Sequence, residues 1–150
     1  MNIVLIATDS SNSDFRSLVA ELDKDLSVRD GDEHGFYSQF NKVDLIKHVV
    51  VAYFENKAVG CGAFKEYESG TVEIKRMFVL PEHRGKGIAL QVLAKLEQWA
   101  LSCNYTACIL ETGKKQPEAI ALYQKAGYGI IPNYGQYQGV ENSVCMRKTI

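Results

Sequence analysis

Apolar positions follow two rhythms along this chain. Residues 2–8 form a short apolar run of strand length. Over 12–28, Phe15, Leu18, Val19, Leu22 and Leu26 recur at helical spacing, with Ser13 or Asp14 as candidate caps. The runs "HVVVAYFE" and "KAVGCGAFKEY" are parted by the turn-like Glu55-Asn56-Lys57 and predict an antiparallel hairpin. Ser69-Gly70 then turns the chain into another strand, "TVEIKRMFVL". From about residue 86 to 102 the helical rhythm returns in Ile88, Val92, Leu93, Leu96, Trp99 and Ala100. "YTACILET" reads as a short buried strand, and "QPEAIALYQKAGY" as a helix with Pro117 in its first turn and Gly127 as its stop. The tail holds two aromatic-rich segments and ends in the strand-like "NSVCMRKTI". Strand, helical region, three strands, helix, strand, helix and two strands predict an α/β (α+β) mixed sheet, in one domain spanning 1–150.

Composition narrows the function classes. The 150 residues are 46% hydrophobic and 23% charged, enough to bury a core. A net charge of −1 argues against a nucleic-acid binder, which would carry a basic face. No apolar run approaches a membrane span, and the opening "MNIVLIATDS" reads as a strand, so a cytoplasmic protein with no membrane partner is expected. Cys61, Cys103, Cys108 and Cys145 lie in apolar stretches without a C-x-x-C pair, which points to buried free thiols and to no metal site. The loop-like "DGDEHGFYSQFN" carries His34, Phe36, Tyr37 and Phe40, aromatics that either pack or line a site.

The chemistry concentrates in "RGKGIA", between a strand and a helix. A helix start leaves amide N–H groups unpaired and carries partial positive charge. Gly85 and Gly87 permit positive φ and let a bulky anion approach the backbone, while Arg84 and Lys86 add two cations. The set suits a pyrophosphate. It is not a Walker A loop, and the third glycine of a dinucleotide fingerprint is absent.

Arg84-Gly85-Lys86-Gly87-Ile88-Ala89 follows the order Arg or Gln, two free positions, Gly, a free position, Gly or Ala, directly after "VEIKRMFVLP". With "LETG" at 110–113, "AIALYQKAGY" at 119–128, and "YGQY" and "SVCMRK" in the tail, the chain resembles the GNAT family, the GCN5-related N-acetyltransferases, over nearly its whole length. The resemblance implies a mixed, mostly antiparallel twisted sheet of about seven strands flanked by about four helices. It implies acetyl-CoA as cosubstrate, no metal, and an amine as acceptor, and it allows a homodimer. The aromatics Phe36, Tyr37, Phe40, Tyr134 and Tyr137, in two segments expected to border the acceptor, suit a compact pocket and point to a small-molecule amine. Amides of Arg84, Gly85, Lys86, Gly87, Ile88 and Ala89 would cradle the pyrophosphate. The main chain of Met77, Phe78 and Val79 would pair with the pantetheine arm where this strand splays from the "LETG" strand. Gln116 stands where many members carry an asparagine that touches the cofactor.

Tyr123 matches the family's usual acid near the thioether, and its alternative role is to anchor its helix. Glu73 matches the glutamate base of the histone-acetylating branch. Alternation would place it on one face with Lys75, Met77 and Val79. Glu111 and His34 are further base candidates, the latter because histidine titrates in the useful range. No cysteine is placed for a covalent acyl-enzyme, so direct transfer in a ternary complex is expected. The competing readings are a non-catalytic acyl-CoA-binding module and an enzyme acting on a peptide amine.

Overall fold

The computed structural model describes residues 2–30 and 45–150, and of 27–30 the backbone alone. Asp32, Glu33, His34, Phe36, Tyr37 and Phe40 lie outside the described residues. The elements run β1 (Ile3–Thr8), α1 (Ser13–Asp30), β2 (His48–Phe54), β3 (Lys57–Glu68), β4 (Thr71–Val79), α2 (Ile88–Ser102), β5 (Ala107–Gly113), α3 (Pro117–Lys125), β6 (Gly129–Ile131) and β7 (Ser143–Thr149). Short 3-10 turns occupy Pro81–His83 and Gly135–Tyr137. Seven strands form one sheet in the order β1-β2-β3-β4-β5-β7-β6. All neighbours are antiparallel except β4 and β5. The described residues hold three α-helices, as the apolar spacing predicts and slightly fewer than the about four that the resemblance implies.

The sheet is covered on both faces. Val50, Phe64, Val72, Ile74, Cys108, Leu110 and Met146 pack against Val92, Leu93 and Leu96 of α2 and Tyr123 of α3. On the other face Val49, Val51, Cys61, Ala63 and Phe78 pack against Phe15, Leu18 and Val19 of α1. This two-sided burial explains why β2 reads as an unbroken run, with Val49, Val50, Val51 and Ala52 all fully buried.

Local chemistry fixes the element ends. Glu55 and Asn56 both adopt positive φ between the paired Phe54 and Lys57, a two-residue turn whose twist matches the hairpin. Asn12, not Ser13 or Asp14, caps α1: its Oδ1 accepts the Phe15 N–H at 2.9 Å. Asp14 instead accepts the Tyr53 hydroxyl at 2.7 Å, tying α1 to β2. α3 starts at Pro117, and the chain leaves it through Gly127 at φ 101°.

Candidate active site

Two departures from regular pairing open the sheet. The β4–β5 ladder holds three pairs and stops at Glu73–Ile109. Beyond it, the edge of β4 that faces β5 has no strand partner among the described residues, while its opposite edge stays paired to β3 through Phe78 and Val79. The second departure is a β-bulge. Cys61 pairs with Phe78 and Ala63 with Lys75, so Arg76 and Met77 together face Gly62, and Arg76 takes a left-handed φ of 60°.

The bulge overturns the predicted alternation. Glu73 and Lys75 stay on the α1 face, but Met77 and Val79 cross to the α2 face and Phe78 takes their place. Gly62 makes room for the change. A Cβ there would collide with the Met77 Sδ and lie 2.9 Å from Leu96 Cδ1 and Val92 Cγ1.

The opening holds two chambers that meet at Met77, Gln116, Ala119 and Tyr123. The larger, about 390 Å³, is lined by Met77, Phe78, Val79, by His83, Arg84, Gly85 and Gly87 of the loop, by the first turn of α2, by residues of α3, and by Leu22 and Asp25 of α1. Gly85 and Gly87 have φ of 78° and 81°, and an added Cβ at either would point into open space. Gln91 is the first residue of α2 to find a backbone acceptor, Gly87 O at 3.2 Å, so the amides of Ile88, Ala89 and Leu90 precede the helical ladder. These amides and the bare glycine backbone fit a pyrophosphate and the arm that follows it.

Arg84 is less available than its sequence position implies. Its Nε donates to Val79 O at 2.8 Å, its guanidinium lies 5.4 Å from the Phe78 ring centroid, and its Nη2 is 3.8 Å from Asp25. It holds the loop against β4 and α1. Lys86 is exposed and is not among the chamber's walls.

The smaller chamber, about 120 Å³, is walled by side-chain chemistry: Glu73, Lys75, Arg76, Glu111, Thr112 and Tyr137, with Leu22 and Leu26 of α1 above them. Tyr134 donates its hydroxyl to Glu73 Oε2 at 2.7 Å, and Lys75 Nζ lies 3.9 Å from Glu73 Oε1. Ser143 Oγ donates to Glu111 Oε2 at 2.7 Å. Tyr67, Tyr134 and Tyr137 pack edge to face over this side, with centroids 5.0 and 5.7 Å apart.

Three phenols are held firmly protonated here. Burial, then the charge and hydrogen bond of Glu73, push the Tyr134 proton far above the usual phenol range. Burial followed by the charges of Glu111 and Glu73 does the same at Tyr137. At Tyr123 the causes are burial and then Glu111. Glu111 therefore bears electrostatically on Tyr123, at the junction of the chambers, whereas Glu73 is tied to Tyr134 at the far side.

The predicted residues thus gather in one place. Phe78, Val79, Arg84, Gly85, Gly87, Ile88 and Ala89 line the larger chamber, Glu73 and Glu111 the smaller, and Met77, Gln116 and Tyr123 both. Lys75 and Arg76 as pocket cations, Ser143, and the α1 residues were not foreseen. Their one sequence signal was Gly60 and Gly62 inside a strand, a mark of a bulge or close approach.

Comparison with known proteins agrees with this architecture. Residues 13–128 match the model of the acetyltransferase (GNAT) family. An IAA acetyltransferase of Azospirillum brasilense is 38% identical over 102 residues, a match covering 67% of this chain and 67% of that protein. A solved protein of Klebsiella pneumoniae, whose name proposes an acyl-CoA N-acyltransferase, superposes with TM-score 0.82 at 30% identity, covering 98% and 97% of the two chains. The PaiA N-acetyltransferase of Thermoplasma acidophilum, solved with coenzyme A, shares the fold at TM-score 0.74 and 15% identity over the full length of both chains. Among the described residues no helix is long and apolar enough to cross a membrane.

Proposed function

Because the chain belongs to the GNAT family of acetyltransferases, we propose that it moves an acetyl group to the primary amine of a small molecule by direct attack in a ternary complex. It is an acetyl-CoA-dependent N-acetyltransferase. Acetyl-CoA supplies an activated thioester; the rest is the work of this chain. The observation that carries the reading is the junction where the chamber of the glycine loop and the β4 edge meets the one that holds Glu73 and Glu111, with Tyr123 on the wall of both.

The cosubstrate's pyrophosphate is assigned to the amides from Arg84 to Ala89, and its arm to the unpaired edge of β4 at Met77, Phe78 and Val79. Gln116, just before α3, lines both chambers. The Met77 N–H serves as the donor to the acetyl oxygen, where charge develops only in the transition state.

A substrate amine is mostly protonated at neutral pH and must lose a proton to attack. Two carboxylates face that task. Glu73 is committed to Tyr134 and Lys75. Glu111 bears on Tyr123. We assign proton removal to Glu111, with Glu73 as the anchored anion that shapes the far wall. The ammonium gives up one proton to Glu111, which releases it to solvent, and loses a second after bonding to the acetyl carbon. The departing sulfur takes one from Tyr123, and the second nitrogen proton restores Tyr123, so one proton reaches solvent per turnover.

The small chamber volume favours a compact acceptor over a peptide tail, below the usual range of roughly 300–1,000 Å³ for ligand pockets. The test is thiol release with a panel of small amines beside lysine-rich peptides, after calorimetry has established acetyl-CoA binding. Turnover with peptides and none with small amines overturns the reading. Glu111→Gln is expected to lower kcat more than Glu73→Gln, and the reverse order returns the base to Glu73. Binding of acetyl-CoA without turnover of any amine favours a non-catalytic module.

A further inference from the structure

The sheet is two pieces joined at a short seam. Strands β1 to β4 form one piece and β5, β7 and β6 the other, and the ladder between them ends at Glu73–Ile109. Beyond that rung the strands part and the site opens. A side-chain bond also crosses the seam. The loop over residues 132–142 grows from the second piece, between β6 and β7. Its Tyr134 hydroxyl reaches β4, on the far side of β5, and donates to Glu73 Oε2 at 2.7 Å. The Tyr134 ring meets Tyr67 of β3 edge to face, with centroids 5.0 Å apart. Gly135 makes the approach close: at φ 54°, a Cβ there would lie 3.4 Å from the Tyr67 hydroxyl oxygen.

The loop is braced within itself. The Tyr137 N–H donates to Tyr134 O at 2.9 Å, and the Val140 N–H to Tyr137 O at 3.0 Å. Asn133 Nδ2 donates to Val140 O at 3.0 Å. The rings of Tyr134 and Tyr137 pack edge to face. Holding Tyr134 therefore holds Tyr137, the residue this loop gives to the wall of the smaller chamber, where it is 4% exposed. Tyr134 stands behind it, outside the described walls of both chambers. Burial and then the Glu73 charge keep its phenol protonated, so it stays a donor. A neutral donor on a buried carboxylate makes one of the stronger hydrogen bonds a protein forms.

Resting on the reading that this site acetylates a small amine, we propose that Tyr134 is a positioning residue: it straps the loop across the seam and so fixes Tyr137 as the wall that limits acceptor length. Glu73 is the anchor of the strap. Without the bond, arrangements with Tyr137 withdrawn become populated. A short acceptor that needs the closed wall then binds more weakly in proportion, and a longer one gains room.

The test is thiol release with straight-chain primary amines of increasing length at saturating acetyl-CoA. In the unaltered protein kcat/KM is expected to fall once the amine outgrows the chamber. Tyr134→Phe keeps the ring packing and removes the donor. It is expected to raise KM for the best short amine about 10-fold, the low end for a hydrogen bond to a charged group. The change in kcat should be smaller, acetyl-CoA affinity by calorimetry should not move, and the length limit should shift to longer amines. Glu73→Ala breaks the same bond from its other end and should raise KM alike, which carries the test if the Phe variant fails to fold. The double variant should be no worse than either single one. An unaltered KM and length profile in Tyr134→Phe overturns the strap and leaves small-amine acetylation standing. So does a loss confined to kcat, an additive loss in the double variant, or equal use of short and long amines by the unaltered protein. Turnover with no small amine at all overturns the reading beneath it.

Discussion

The two chambers are made of different material. The larger is centred on main chain, with the β4 edge, two left-handed glycines and the open start of a helix, and Asp25, His83, Arg84, Glu118 and Lys125 stand among its other walls. The smaller carries charged and phenolic side chains, and its two carboxylates are held from elsewhere in the chain, Glu73 by Tyr134 and Glu111 by Ser143. The contrast follows from what each must recognise. A ligand common to a whole family can be read by backbone, which every sequence supplies once the fold is set. A ligand that differs between members must be read by side chains, which substitution can change without disturbing the sheet. Tyr123 belongs to both chambers, and the comparison is most sharply tested there.

Tyr123→Phe keeps the edge-to-face packing on Tyr128, whose centroid is 6.0 Å away, and removes only the proton. The expected loss is about 10²-fold in kcat, within the range for general acid catalysis, with acetyl-CoA affinity little changed. The pH profile adds a second readout. Deprotonation removes an acid as pH rises, and burial with the Glu111 charge moves the Tyr123 proton upward. Any alkaline fall in kcat due to this group should therefore lie above the ordinary phenol value near 10. A fully active Phe variant makes Tyr123 an anchor of its helix and no more.

The backbone character of the larger chamber is tested by Gly87→Val against Lys86→Ala. A valine at φ 81° costs roughly 1–2 kcal/mol in left-handed strain and fills space meant for an anion. The strain is present with and without ligand and so lowers stability, while the filled space is expected to weaken acetyl-CoA binding by about 10-fold or more in calorimetry. Lys86 is exposed, and its removal is expected to change affinity by only a few-fold. Equal effects would mean that side-chain charge, not backbone, holds the phosphates.

Legibility in the sequence divides along the same line. The helices and strands were readable because their apolar spacing is set by the sheet they cover. The glycine loop was readable because positive φ at Gly85 and Gly87 demands particular residues. The bulge was not. One residue, Arg76, in a left-handed conformation leaves the apolar pattern of β4 intact and yet reverses which face Met77 and Phe78 occupy. The bond from Tyr134 to Glu73 joins residues 61 positions apart, and no periodicity records it. Nor could spacing show that Arg84 would be occupied by Val79 O and Asp25.

The bulge can be probed from across the strand. Gly62→Val brings a Cβ against Met77, Leu96 and Val92. Overpacking of this kind costs about 1–3 kcal/mol, visible as a lower melting temperature. Because Met77 lies at the meeting point of the chambers, the variant should also lose activity in the fraction that stays folded. Full activity at unchanged stability would show that the bulge tolerates displacement.

The smallest expected effect concerns cysteine, because neither chamber is lined by one. Cys61, Cys108 and Cys145 are buried, and burial pushes their thiols up to about 12, about 11 and about 11. At pH 8 a thiol near 11 is ionised about one part in a thousand, and the thiolate is the form that reacts. Cys103 is exposed at the end of α2, away from both chambers. Iodoacetamide at pH 8 should therefore add one label per chain, at Cys103, and leave thiol release unchanged. Mixing with acetyl-CoA in the absence of an acceptor should add no acetyl mass to the protein. Activity that falls in step with labelling, or an acetyl adduct on any cysteine, would replace direct transfer with a covalent route and give the side chains a share in handling the acetyl group that the two chambers otherwise divide.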